Sequence, residues 1–116
     1  MKLATAMIYV KDLPSMTAFY NETVGLPVLT RSDTWVELNA GGSTLGLHAI
    51  PPHIAQDIET GPAREATPLK LLFAVSDIAA ESARLRARGV TMIERCWGGL
   101  DIVDPEGNIL GLVTQS

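Results

Sequence analysis

Shifted by 65 residues, this chain of 116 residues falls into step with itself. Val10 meets Val75, Asp12 meets Asp77 and Ala18 meets Ala83; further on, Gly42 meets Gly107, Leu45 meets Leu110, Gly46 meets Gly111 and Leu47 meets Leu112. The order of these matches carries more weight than their number, because they fall at corresponding places in two segments with the same pattern of elements. A chain this short that repeats itself once is built from two small units, neither of which buries a full core alone.

The first copy opens on an apolar, β-rich run, Ala4 to Val10, stopped by Lys11, Asp12, Leu13 and Pro14. Proline is accepted in the first turn of a helix. Met16, Phe19, Tyr20 and Val24 then recur at helical spacing until Gly25 ends the segment. Three short strands are expected near Pro27 to Arg31, Thr34 to Asn39 and Thr44 to Ala49, with turns at Ser32–Asp33 and Ala40–Gly41–Gly42. The second copy repeats the order. Leu69 to Val75 predicts a strand, Asp77 an N-cap for a helix reaching Arg88, and Gly89 its stop. Strands near Val90 to Arg95, Leu100 to Val103 and Ile109 to Thr114 complete it. The expectation is one α+β domain over 1–116, with βαβββ units at 1–50 and 68–116 and a proline-marked linker at 51–67. One helical turn around Ile54 to Glu59 is expected inside that linker.

Composition narrows the function. Net charge is −4 and no cluster of Lys and Arg is present, which argues against a phosphate-backbone partner. Cys96 is the only cysteine, so no internal disulfide and no zinc-finger spacing is possible. The longest apolar stretch, Leu71 to Val75, is far too short to cross a bilayer, and the opening residues have no signal-peptide pattern. A cytoplasmic location without nucleic-acid or membrane partners is expected.

Two stretches resemble a known family. Ala6-Met7-Ile8-Tyr9-Val10-Lys11-Asp12-Leu13, followed by Met16, Phe19, Tyr20, Gly25 and Leu26, resembles the first strand and helix of the glyoxalase / bleomycin-resistance / extradiol-dioxygenase (vicinal oxygen chelate) proteins. Asp104-Pro105-Glu106-Gly107-Asn108 resembles the turn before that family's last strand. In it Pro105 fixes one φ and Gly107 supplies a positive one. The resemblance implies a curled mixed sheet in which two βαβββ units form an open cup; the edges and open cup such a sheet leaves give the expectation of a homodimer. The resemblance also implies a metal held by the first and last strand of each unit. Carried across, those positions are Thr5, Gly46, Lys70 and Gly111. They obey the 65-residue repeat, since Thr5 maps onto Lys70 and Gly46 onto Gly111.

Those residues are poor ligands. Divalent ions in such cups take carboxylates or neutral imidazoles. Glycine offers nothing, a neutral hydroxyl is weak, and an ammonium repels a cation. No metal and no other cofactor is expected. Strand alternation places Thr5, Met7 and Tyr9 on one face, with Lys70, Leu72 and Ala74, and Gly46, His48, Ile109, Gly111 and Val113, on the corresponding faces of their strands. The two glycines are expected to leave open floor. The candidate lining is therefore Thr5, Met7, Tyr9, Trp35, Gly46, His48, Lys70, Leu72 and Gly111. Parity alone leaves open whether Trp35, Glu37 and Trp97 face the cup. A lone histidine makes no divalent site, so His48 reads first as a strand-end residue; His53 reads as linker surface, and Cys96 as an inert thiol. No nucleophile motif or phosphate loop is present, so no catalytic residue is assigned.

The favoured expectation is a non-enzymatic protein that encloses a hydrophobic or aromatic small molecule, similar to the family's metal-free antibiotic-sequestering members. Its alternative is a metal-independent isomerase or lyase acting on a small carbonyl compound through Lys70, His48 or Glu37. A structural or regulatory module with no ligand is the third. Lys70 is the unusual residue: it finds an acidic partner, reaches the rim, or stays neutral as a reactive amine.

Overall fold

The computed structural model describes residues 1–56 and 60–114. The chain divides into two compact units, Met1–Glu59 and Thr60–Ser116, with the boundary inside the proline-marked stretch.

In the first unit, β1 (Thr5–Val10) leads into α1 (Leu13–Ala18), a π-helical turn (Phe19–Val24), β2 (Val28–Arg31), β3 (Trp35–Asn39), β4 (Thr44–Ala49) and a short α2 (Pro52–Ala55). The sheet order is β1-β4-β3-β2, with β1 parallel to β4 and the other pairs antiparallel. The second unit has β5 (Leu71–Val75), α3 (Ile78–Ala87), β6 (Thr91–Glu94), β7 (Leu100–Val103) and β8 (Ile109–Thr114), in the order β5-β8-β7-β6. Both are βαβββ units with the same topology, as the repeat requires.

The repeated residues do the same work twice. Asp12 Oδ1 accepts from the Ser15 amide at 3.1 Å, and Asp77 Oδ1 accepts from the Ala80 amide at 3.0 Å, so each caps its helix. Gly42 (φ +100°) and Gly107 (φ +88°) turn the chain into the last strand of each unit. Leu45 and Leu47 on β4, like Leu110 and Leu112 on β8, are buried on one face of their sheet. In the first unit that face also carries Val10, Val36 and Leu38, and α1 with its π turn adds Leu13, Met16, Phe19 and Tyr20 to the core. Each such side chain contributes about 1.5–3 kcal/mol by leaving water.

Three departures from expectation have local causes. The first helix is not α-helical to Val24. From Phe19 it widens to a π turn, which closes with Gly25 at φ +98° and buries the adjacent rings of Phe19 and Tyr20 edge-on at 5.1 Å. The fifth strand begins at Leu71 rather than Leu69, because its parallel partner starts only at Ile109 and the first pair is Leu71 with Leu110. The expected turn at Ile54 to Glu59 starts earlier, at Pro52, and its last three residues lie outside the described residues.

Candidate functional site

The face of each sheet opposite its helix is the candidate site. In the first unit the register places Tyr9, His48 and Trp35 in one row across β1, β4 and β3. Met7, Gly46 and Glu37 form the next row, and Thr5, Thr44 and Asn39 the third. Side chains in these rows share a face because they lie two residues apart along each strand. Trp35 and Glu37, left open by parity, therefore lie on the face of Gly46 and His48. His48 sits between two rings, its centroid 5.6 Å from Tyr9 and 5.8 Å from Trp35, the latter edge-on.

The floor at Gly46 is not open, contrary to expectation. A Cβ built there would lie 2.3 Å from Cη2 of Trp35, so the indole occupies the space a side chain would fill. Trp35 Nε1 donates to Glu37 Oε1 at 3.0 Å, which fixes the ring over the glycine. Tyr9 and Met7 remain exposed, at 50% and 43%.

In the second unit the equivalent floor is also covered. A Cβ at Gly111 would meet Leu72 at 2.5 Å and both Asp101 and Lys70 at 3.3 Å. Asp101 lies opposite Gly111 across the β7–β8 hairpin, as Glu37 lies opposite Gly46. Lys70 takes the first of its three expected options. Its Nζ lies 2.8 Å from each oxygen of Asp101, and Arg95 Nε donates to Oδ2 at 2.7 Å. Arg95 then uses its two terminal nitrogens as a fork on Glu65, at 3.0 and 2.7 Å. Burial pushes the Asp101 carboxyl up, but hydrogen bonds from Lys70 and Arg95 outweigh it and hold the group below its ordinary 3.8. Glu65 is lowered chiefly by its hydrogen bonds from Arg95.

Trp97 is displayed on the β6–β7 turn, 73% exposed. The amide of Arg95 donates to the Gly99 carbonyl and that of Gly98 to the Arg95 carbonyl, which closes the turn. The missing side chain of Gly99 leaves room for the indole, since a Cβ there would be 2.7 Å from Trp97 Nε1. The Arg95 guanidinium lies 5.8 Å from the ring centroid. Beside it opens a cavity of about 260 Å³ lined by Arg64, Glu65, Thr67, Lys70, Arg95, Trp97 and Ile109.

A divalent ion does not suit these residues. Thr5 and Gly46 bring no strong donor, Lys70 is an ammonium bound to Asp101, and Gly111 is covered. Among the described residues no three His, Cys, Asp or Glu side chains come together as a ligand group. No described helix is long and apolar enough to cross a membrane.

Asp101, Arg95 and Glu65 were not among the residues expected at the site. Asp101 has a legible signal, because counting back from the Asp104–Asn108 turn puts it opposite Gly111. Glu65 has none, since it lies in the stretch read as linker.

No curated protein matches the chain. Among solved structures it is similar to TnmS3, an antibiotic-binding protein from Streptomyces sp. CB03234, with 26% identity, coverage of 100% of this chain and 97% of that one, and a TM-score of 0.70. A glyoxalase/bleomycin resistance protein/dioxygenase family enzyme from Burkholderia phytofirmans PsJN shares the fold at 24% identity, 98% coverage of both chains and a TM-score of 0.73. So does lactoylglutathione lyase from Agrobacterium tumefaciens, at 19% identity, 97% and 92% coverage and a TM-score of 0.69. The profile of one family matches residues 2–112, nearly the whole chain, and the chain belongs to that family, the Glyoxalase/Bleomycin resistance protein/Dioxygenase superfamily.

Proposed function

We propose that this chain is a metal-independent binding protein that sequesters a hydrophobic or aromatic small molecule of antibiotic type. The observation that carries the reading is the fate of the metal-ligand positions: Trp35 fills the place beside Gly46, and Asp101 engages Lys70. In the first unit the place of a ligand side chain is taken by an indole, which suits a flat apolar molecule better than a metal. Tyr9, His48 and Trp35 supply a row of rings in one unit, and Leu72 and Trp97 supply exposed apolar surface in the other. The 26% identity to an antibiotic-binding protein over the full length supports the same class. The alternative, catalysis on a carbonyl compound by a neutral Lys70 amine, would first require breaking two contacts of 2.8 Å to Asp101. The working form on this reading is a homodimer, because edge strands such as β1 and β5 call for cover, and its location is the cytosol, as expected from the sequence.

Native mass spectrometry of freshly purified, untagged protein tests the function, together with elemental analysis. The expected result is a dimer carrying an organic adduct and well below one-tenth equivalent of Fe, Mn, Ni or Zn, by the ligand chemistry above. Near one equivalent of metal, or a chelator-dependent loss of stability, overturns the proposal, because an ion bound only by the folded state stabilises it.

A further inference from the structure

We propose that Glu65 is an internal stand-in for a ligand carboxylate, and that the cavity beside Arg95 and Trp97 takes an aromatic acid whose carboxylate displaces it. This rests on the binding reading and adds the ligand's charge, the place it docks and a built-in competitor.

The argument begins with what already occupies the site. Arg95 presents a planar fork to Glu65 at 2.7 and 3.0 Å, the geometry by which guanidinium recognises any carboxylate. The two partners differ in freedom. Arg95's side chain is only 16% exposed and is anchored from behind by Asp101, whereas Glu65's is 61% exposed and lies outside any strand or helix. The fork is fixed and its occupant is at the surface.

The surroundings specify the rest of the ligand. Trp97 stands 73% exposed beside the guanidinium, so its indole is accessible to a second flat ring. An acid attached to a flat ring would place its carboxylate on the fork and its ring on the indole. Lys70, 40% exposed, has at most two of its three N–H groups on Asp101 and adds a further donor at the cavity wall. Arg64 adds a third cation, and its buried Nε has no partner. With Glu65 turned away, Lys70 and Arg95 share the one carboxylate of Asp101, so this wall of the cavity gains positive charge that an incoming anion restores to balance.

The energetics suit a latch. An ion pair whose carboxylate is open to water is weak, roughly fivefold in affinity at most, so Glu65 reduces binding without blocking it. Removing it frees the binding-competent fork completely.

The test is calorimetric titration of the full chain with 1-naphthoate and with the neutral naphthalene-1-carboxamide. Wild type is expected to prefer the acid by tenfold or more, and Glu65→Ala to tighten the acid by about two- to fivefold with no change for the amide. Trp97→Phe identifies the indole N–H resonance of Trp97, which naphthoate is expected to shift. Equal affinity for acid and amide, or weaker naphthoate binding in Glu65→Ala, overturns the inference. If the amide binds with no response at Trp97, this inference fails while the binding function stands; if neither compound nor any other aromatic binds, both fail.

Discussion

Asp101→Asn is the perturbation that most directly tests the electrostatics of the second unit. The carboxylate side chain is 4% exposed and receives Lys70 on both oxygens at 2.8 Å and Arg95 Nε at 2.7 Å. Removing one partner of a buried pair costs about 3–5 kcal/mol, because the remaining charge is left without its counterion. Two features lower the figure here. Lys70 is 40% exposed and can turn toward water, and Arg95 retains its fork on Glu65. A loss of about 2–3 kcal/mol follows, which at a slope of about 1.5 kcal/mol per molar moves the urea midpoint down by roughly 1.3–2 M. The pH dependence supplies a second reading. Asp101 is held below its ordinary 3.8 in the folded chain, so its contribution is complete above the unfolded value and is lost as pH falls through the folded one. The gap between wild type and Asp101→Asn is therefore expected to be full at pH 6 and to have narrowed at about pH 3, below the unfolded value, closing only below the folded one. Urea unfolding followed by circular dichroism at both pH values measures this. A loss under about 0.5 kcal/mol at pH 6, or a gap that does not narrow in acid, would refute the reasoning.

Further substitutions probe the glycines. Gly46→Ala is expected to displace the Trp35 indole, break its bond to Glu37 and cost about 1–3 kcal/mol, with a change in near-ultraviolet dichroism; Trp35→Ala should suppress the added cost. Gly42→Ala and Gly107→Ala occupy matching turns but should differ. At Gly42 a Cβ meets nothing within 4 Å, so only the positive φ counts, about 1–2 kcal/mol. At Gly107 it would also lie 2.2 Å from the backbone oxygen of Gly61, which cannot swing aside as a side chain does, and the loss rises to about 2–5 kcal/mol. Thermal melts of the two variants side by side check the difference. Asp104→Ala should cost about 2–3 kcal/mol by leaving the amides of Glu106 and Asn108 and the Asn108 side chain without their acceptor, again measured by melting.

The elements were legible because period, caps and turns are local: Asp12, Gly25, Asp77 and Gly89 sit where a helix must begin or end. The four positions at Thr5, Gly46, Lys70 and Gly111 came from the family resemblance, and the repeat only agreed with them. What covers them was not legible. That Trp35 lies over Gly46 depends on a rotamer and on a bond to Glu37, neither of which alternation specifies. Lys70's partner was within reach of hairpin counting, since Asp101 is a charged residue in an apolar strand. The Arg95–Glu65 fork joins residues 30 apart through an irregular segment, and nothing in local pattern fixes where such a segment runs.

The indole over Gly46 also governs which sequences lie one step away. A carboxylate introduced at position 46 meets a ring already in its place, so the change is penalised before any ligand set exists to reward it. Shrinking Trp35 first clears the space but leaves the Glu37 carboxylate without its indole donor. Each order of the two changes passes through a disfavoured intermediate, and Lys70 and Gly111 would still have to change in the other unit. Metal chemistry is therefore remote from this chain in mutational distance, whereas variation at the exposed Met7, Tyr9 or Leu72 is open to drift and selection. A library built on this scaffold should diversify readily in what it binds and return almost no metalloenzymes.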